Sequence, residues 1–388
     1  MARFTLPRDL YHGKGALEAL KTFEGKRAMI CVGGGSMKRF GFLDKAEQYL
    51  KEAGMEVELY EGIEPDPSVE TVMKGAAAMA RFQPDWIIAM GGGSPIDAAK
   101  AMWIKYEYPE CTFEDMCKVF GLPKLRRKAH FCAVSSTSGT ATEVTAFSII
   151  TDYSKGIKYP IADFEITPDV AIVDPELAET MPKKLVAHTG MDAMTHAIEA
   201  YIGRSTTKLT RAMSEEAATR IVRSLYTAYE NGGDMQARAD MLRAAYCAGV
   251  SFTRSYVGYV HGVAHSLGGQ YGVPHGLANA VILPYFLDAY GAACHQKLGR
   301  LARVAHVAPE SASDREAAEA FIRWIREMNA RMGIPEKIPQ IRTADIPEMA
   351  RHAARESNPL YPVPVLMDER QLAQMYVQLM PAKKEENA

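Results

Sequence analysis

The sequence predicts two unlike halves: an α/β region with a parallel sheet over residues 1–180, then an all-helical region over residues 181–388. Three observations carry this reading. In the first ~170 residues, short β-rich runs alternate with helical patterns, the signature of βαβ units. Two of those runs pass directly into Gly-Gly-Gly-Ser, at Val32–Ser36 and at Met90–Ser94. Beyond ~180 the texture changes to long amphipathic patterns with few strand candidates.

In chain order, the candidate strands are Ala28–Val32, Glu56–Tyr60, Trp86–Met90 and Phe131–Val134, each a short β-branched or apolar run. Helical patterns fill the gaps at Phe42–Ala53, Ser68–Arg81 and Ser94–Lys105. Val170–Asp174, stopped by Pro175, reads as a last strand and sets the boundary between the halves near 175–185. Lys208–Asn231, Met235–Ser255 and Ala317–Met332 then place apolar residues at helical spacing. Pro-containing stretches around 335–347 and 359–364 punctuate the C-terminal part, and the charged segment Lys383–Glu386 is expected to fray. There is no internal repeat.

Composition narrows the function classes. Apolar residues at 47% and charged residues at 24% are those of a globular protein able to bury large cores. A net charge of -2 offers no electrostatic case for nucleic acid or an anionic membrane. The longest apolar runs, such as Trp86–Met90, are far too short to span a bilayer, and the N-terminus lacks a signal-type apolar segment. Six scattered cysteines without a C-x-x-C pair read as reduced thiols, so a cytoplasmic location is expected.

A strand that ends in glycines and opens a helix exposes bare N–H groups to a phosphate, helped by the positive end of the helix. Neither turn has the spaced glycines of the standard dinucleotide motif, and tight βα turns alone explain single instances. Their duplication, the following Asp97, and a third polar loop from Ser135 to Glu143 after another strand point to a nucleotide crevice at one sheet edge. After the first strand stand Gly33, Gly34, Gly35 and Ser36, with Lys38 and Arg39 beyond, and no acid to repel a ribose 2′-phosphate. NADP(H) is therefore expected over NAD(H).

Histidine spacing supplies the second signal. Asp192 and His196 are four apart and share one face of a helix, as do His261 and His265, and His275 follows Pro274. A lone helical histidine is usually structural. One carboxylate and three imidazoles, Asp192, His196, His261 and His275, suit Fe(II), with Zn(II) as the alternative.

Taken together these stretches resemble the iron-containing (group III) alcohol dehydrogenases. The resemblance is carried by Gly13–Leu17, Gly62–Pro67, Gly91–Lys100, Thr137–Thr145, Gly190–Glu199 and His261–Ala280, and covers nearly the whole chain. The glycine turn and Gly62–Pro67 resemble the NADPH-using butanol dehydrogenase or aldehyde reductase branch. The family implies a dinucleotide-binding N-terminal domain, a helical C-terminal domain, and a metal in the cleft between them. It implies hydride transfer between NAD(P)H and small aldehydes or primary alcohols with the metal as Lewis acid, in a dimer or higher oligomer. By position, Asp192, His196, His261 and His275 match its metal ligands. Gly93, Ser94 and Asp97 match its pyrophosphate and nicotinamide-side contacts, and Gly34, Gly35, Ser36 and Gly92 are expected to bind the cofactor from the same glycine turns. Thr137, Ser138 and Phe147 match the second loop, Lys158 a ribose contact, and His265 a histidine near the nicotinamide that is not a ligand; an imidazole's near-neutral pKa makes it the candidate for relaying the proton to solvent. Asp66 departs from the pattern, since many members carry Asn there, and so does Thr140-Ala-Thr142. Glu199, on the ligand side of its helix, either orients a ligand or faces solvent. One rival is a metal- and NAD-dependent lyase or cyclase of the dehydroquinate-synthase type, which shares the architecture. A non-catalytic metal-binding scaffold is the other.

Overall fold

A computed structural model describes residues 3–381; the charged segment 383–386 lies outside them. The chain opens with strand β1 (Asp9–His12), a 3₁₀ turn, β2 (Arg27–Val32), the short helix α1 (Ser36–Arg39), α2 (Phe42–Glu52) and β3 (Glu56–Tyr60). Next come α3 (Val69–Phe82), β4 (Trp86–Gly91), α4 (Gly93–Glu107), α5 (Phe113–Met116) and β5 (His130–Ser135). A hairpin of β6 (Phe147–Asp152) and β7 (Ile157–Ala162) precedes β8 (Val170–Val173) and α6 (Pro175–Ala178).

Six strands form one parallel sheet in the order β1-β8-β5-β4-β2-β3, while β6 and β7 pair antiparallel with each other. The pleat divides the central strands between two cores. Met29, Cys31, Ile87, Ala89, Phe131 and Ala133 pack on one face with α3 and α4. Their alternates Ala28, Ile30, Val32, Ile88, Met90, Cys132 and Val134 pack on the other with α2. Burial on both faces explains why these strands read as unbroken apolar runs.

The rest is helical: α7 (Lys183–Ile202), α8 (Lys208–Glu230), α9 (Met235–Ser255), α10 (Tyr259–Tyr271), α11 (His275–Tyr290), α12 (Ala292–Val304), α13 (Asp314–Arg331), α14 (Ile346–Ser357) and α15 (Glu369–Leu379). Starts are set chemically: Thr207 and Ser313 close capping boxes with Thr210 and Glu316, and Asp234 accepts the N–H of Ala237. Helix α7 is buried on nearly every side from Val186 to Ile202, so it forms the axis of this region.

The expected fold class is the one found, and the predicted strands and helices recur within a few residues. Three strands were not expected. Short β1 gains its pairing from β8, and β7 carries Pro160, which weakens a strand signal. Helices α7, α10 and α11 escape the amphipathic test because they are apolar nearly all round, and α11 even contains Pro284. Among the described residues no helix is long and apolar enough to cross a membrane.

Candidate functional site

Strands β2, β4 and β5 are adjacent, so the loops leaving their C-terminal ends stand side by side. Together with α7, α9, α10 and the start of α11 they wall a cleft of about 570 Å³. Its lining includes Gly33–Lys38 and the group Asp192, His196, His261, His265 and His275.

The glycines have separable reasons. A Cβ on Gly93 would sit 2.9 Å from Thr140 Cγ2, so the third loop would have to shift to admit one, and on Gly92 it would press Thr137 Cγ2 at 3.1 Å. At Gly34 a Cβ would meet nothing within 4 Å. Protein packing does not require glycine there, and its bare backbone faces the cleft.

Most of the expected cofactor residues line this cleft: Gly34, Gly35, Ser36, Asp66, Gly92, Gly93, Ser94, Asp97, Thr137, Phe147 and Lys158. Ser138 does not; it is buried under its loop. Lys158 and Asp66 form an ion pair at 2.6 Å with the lysine almost wholly enclosed, so the Asp66 departure adds a charge partner. Ser94 Oγ accepts the Asp66 N–H at 3.2 Å, which ties the second glycine turn to that pair. Asp97 lines the cleft partly exposed; desolvation raises its pKa and nearby Lys100 opposes the rise. Lys100 is itself fully buried and donates to the carbonyls of Thr142 (2.7 Å), Thr145 (2.7 Å) and Phe147 (2.9 Å). Three acceptors suit the three hydrogens of an ammonium, so this lysine pins the third loop to α4.

The expectation that no acid stands near the first turn needs correction. Glu61, just past β3, reaches Lys38 with Oε1 3.3 Å from Nζ and lines the same cleft. It was invisible beside the turn because it arrives from the neighbouring strand. Arg39 does not line the cleft, leaving Lys38 as the cation of that pair that does.

Asp192, His196, His261 and His275 each offer one ligand atom, and these atoms all lie within 4.8 Å of one another. Bonds of ~2.0–2.2 Å to a central ion close such a span with small side-chain movements. Helix α7 presents Asp192 and His196 from successive turns, α10 presents His261, and His275 is the first residue of α11. The His196 ring stacks between Phe252 (4.2 Å) and His261 (4.5 Å). Burial pushes the pKa values of His196, His261 and His275 down, which favours the neutral imidazoles a metal needs. The donor set therefore fits a divalent transition metal.

Glu199 faces inward, not solvent. Its Oε2 lies 2.6 Å from His261 Nδ1 and its Oε1 accepts the Val260 N–H at 2.9 Å, which turns His261 Nε2 toward the other ligand atoms. Burial raises the Glu199 pKa to about 8, against the pull of backbone N–H donors at the start of α10. His265 stands beside the four, its ring stacked on His275 at 5.2 Å. Glu356 on α14 holds His265 Nδ1 at 2.7 Å and also accepts from Tyr361 Oη at 2.7 Å. Sequence reading missed Glu356 and Asn279. The second could have been suspected, since it stands one helical turn after His275.

Two family models match: "Iron-containing alcohol dehydrogenase" over residues 7–175 and "Fe-containing alcohol dehydrogenase family, C-terminal" over residues 186–380. The chain is 55% identical over 340 residues to the NADPH-dependent butanol dehydrogenase of Clostridium saccharobutylicum, covering 88% of this chain and 87% of that one. It is similar to a solved 1,3-propanediol oxidoreductase, with a TM-score of 0.91 and 33% identity over 98% of this chain and 100% of that one. An alcohol dehydrogenase from Oenococcus oeni superposes with a TM-score of 0.92 at 28% identity, covering 98% of this chain and 100% of that one.

Proposed function

The chain belongs to the iron-containing alcohol dehydrogenase family and is an oxidoreductase acting on alcohols and aldehydes; from that premise we propose that it reduces small linear aldehydes with NADPH, on a metal held by Asp192, His196, His261 and His275. The observation that carries this reading is the four-ligand cluster in a cleft lined by glycine turns. A divalent ion in that cluster supplies Lewis acidity toward the substrate's oxygen. Gly34, Gly35, Ser36 and Lys38 hold the adenosine phosphate, and Gly92, Gly93 and Ser94 the pyrophosphate. Asp97, Thr137 and Phe147 set the nicotinamide side. Lys158, paired with Asp66, meets the ribose.

His265, with Nδ1 held by Glu356, moves the substrate's proton through its Nε2. Glu199 keeps His261 in the tautomer whose Nε2 is free. Phe252 and Val257 make the wall near the cluster apolar, which suits a short alkyl chain and leaves the ion in low dielectric. NADPH is favoured by the kinship with the Clostridium enzyme and by Lys38 at the first turn, whose charge Glu61 partly offsets. Fe(II) is favoured over Zn(II) by the family. The dehydroquinate-synthase-like alternative is disfavoured by both family matches and by the aromatic and apolar lining.

We further propose a division into two domains near residue 180, a homodimer or higher assembly, and a cytoplasmic location. The test is a steady-state assay of chelator-stripped protein reloaded with Fe(II) or Zn(II). Net consumption of one NADPH per butyraldehyde, with NADH poorer, is expected. Cofactor recycling without net change would overturn the reading.

A further inference from the structure

Asn279 sits on α11 one turn beyond His275, so the two side chains share a face. It is completely buried. Its amide nitrogen lies 2.7 Å from Asp192 Oδ1, 3.1 Å from His275 Nε2 and 3.2 Å from His261 Nε2. This one side chain thus touches a ligand residue from each of α7, α10 and α11.

Its orientation follows from chemistry. Turning the amide over would set Oδ1 against the Asp192 carboxylate, acceptor against acceptor. With Nδ2 inward, its N–H groups meet a carboxylate oxygen and two imidazole nitrogens. Where the Glu199 carboxylate accepts from His261 Nδ1–H, Nε2 carries the lone pair. The carbonyl oxygen of Asn279 has no hydrogen-bond partner although it is buried. An apolar residue would avoid that orphan, so the donors of the amide are what account for an asparagine here.

We propose that Asn279 is a positioning residue of the metal cluster: its amide anchors the Asp192 carboxylate and so sets how tightly the ligands close on a divalent cation, while its contacts with His261 and His275 Nε2 belong to the metal-free cluster and are yielded to the cation. The charged Asp192 acceptor gives the shortest of the three contacts and takes the strongest bond. The Asp192 oxygen is 3.7 Å from His275 Nε2 and 4.0 Å from His261 Nε2, so no direct bond between the ligands fixes their spacing. In the metal-free cluster Asn279 touches all three, and its bond to Asp192 is the one that coordination of the two imidazoles leaves intact.

The inference rests on the ligand set proposed above, and one experiment separates the two. Zn(II) is titrated into chelator-stripped wild-type protein and the variants Asn279→Ala, Asn279→Leu and His261→Ala against a chromophoric chelator, with Co(II) absorption spectra recorded in parallel. Asn279→Leu fills the same space without a donor, so it reports on the amide even if Asn279→Ala folds poorly. A Zn(II) Kd weaker by about 10- to 100-fold in Asn279→Leu, with shifted Co(II) bands, is the expected result. Wild-type Kd and Co(II) spectrum in Asn279→Leu would overturn the role of Asn279 alone. Wild-type Zn(II) binding in His261→Ala would overturn the ligand set, and the proposal with it.

Discussion

Replacing Gly276 by Ala tests whether the α7–α11 contact sets the metal geometry. A Cβ at Gly276 would lie 2.6 Å from the carbonyl oxygen of His188, 2.9 Å from its carbon and 3.4 Å from Asp192 Cβ. Carbon atoms relax to about 3.4–3.5 Å from such neighbours, so the helices must part by roughly 0.8 Å. The obstructing atoms are backbone, which has no rotamer to change. His275 is the adjacent residue on α11 and Asp192 lies one turn beyond His188 on α7, so the displacement falls between two ligands. Metal–ligand distances tolerate about 0.2 Å. Overpacking of this kind costs about 1–3 kcal/mol, and if the strain is felt mainly when the ligands are drawn together, Zn(II) binds about 5- to 150-fold more weakly. The assay is competition titration with a chelating dye, paired with thermal unfolding of the stripped protein. Gly34→Ala, where a Cβ has open space, serves as the control with unchanged affinity. Wild-type Zn(II) affinity in Gly276→Ala would refute the reasoning.

Three further outcomes follow from the same geometry. Lys38→Ala raises the KM for NADPH by roughly 5-fold and leaves NADH unchanged, the modest size reflecting two exposed partners, while Glu61→Gln lowers it; equal shifts for both cofactors would contradict the assignment. Lys100→Met strips three carbonyls and two buried carboxyl groups of their ammonium, and costs about 3–5 kcal/mol in urea unfolding; an unchanged midpoint would contradict the clamp. Burial raises Glu143 from 4.5 to about 7. Between those values the folded chain keeps a proton that the unfolded chain has lost, so stability falls as pH rises through this window, by on the order of 3 kcal/mol in all, and levels off above it. Glu143→Gln removes that fall; the same slope of stability with pH in both proteins would count against it.

Much of the site was legible because helix and strand periods are short-range signals. Asp192 and His196 announce themselves by a spacing of four, and the strands before Gly33 and Gly91 by unbroken apolar runs that burial on both faces demands. The four-ligand set was legible too, and the structure brings it together; the side chains that support it from other helices were not. Asp192 meets Asn279 across 87 residues and His265 meets Glu356 across 91, and an Asn or a Glu on a helix has no distinguishing pattern of its own. Glu199 was half legible: its helical side was clear, but its partner His261 lies 62 residues away. Glu61 shows the same limit at the first glycine turn, where the acid comes from the next strand of the sheet. The β6–β7 hairpin gains its place by packing on α4 and α10, which no local pattern expresses.

Direct hydride transfer on the metal-loaded protein is the central claim, and isotope tracing tests it most directly. Protein reloaded with Fe(II) or Zn(II) is given butyraldehyde and NADPH carrying two deuterium atoms at nicotinamide C4, in ordinary water. Butanol with one deuterium on C1 for each NADPH oxidised is predicted, with the transfer lost in His261→Ala. Butanol free of deuterium, or undiminished transfer in His261→Ala, would contradict it.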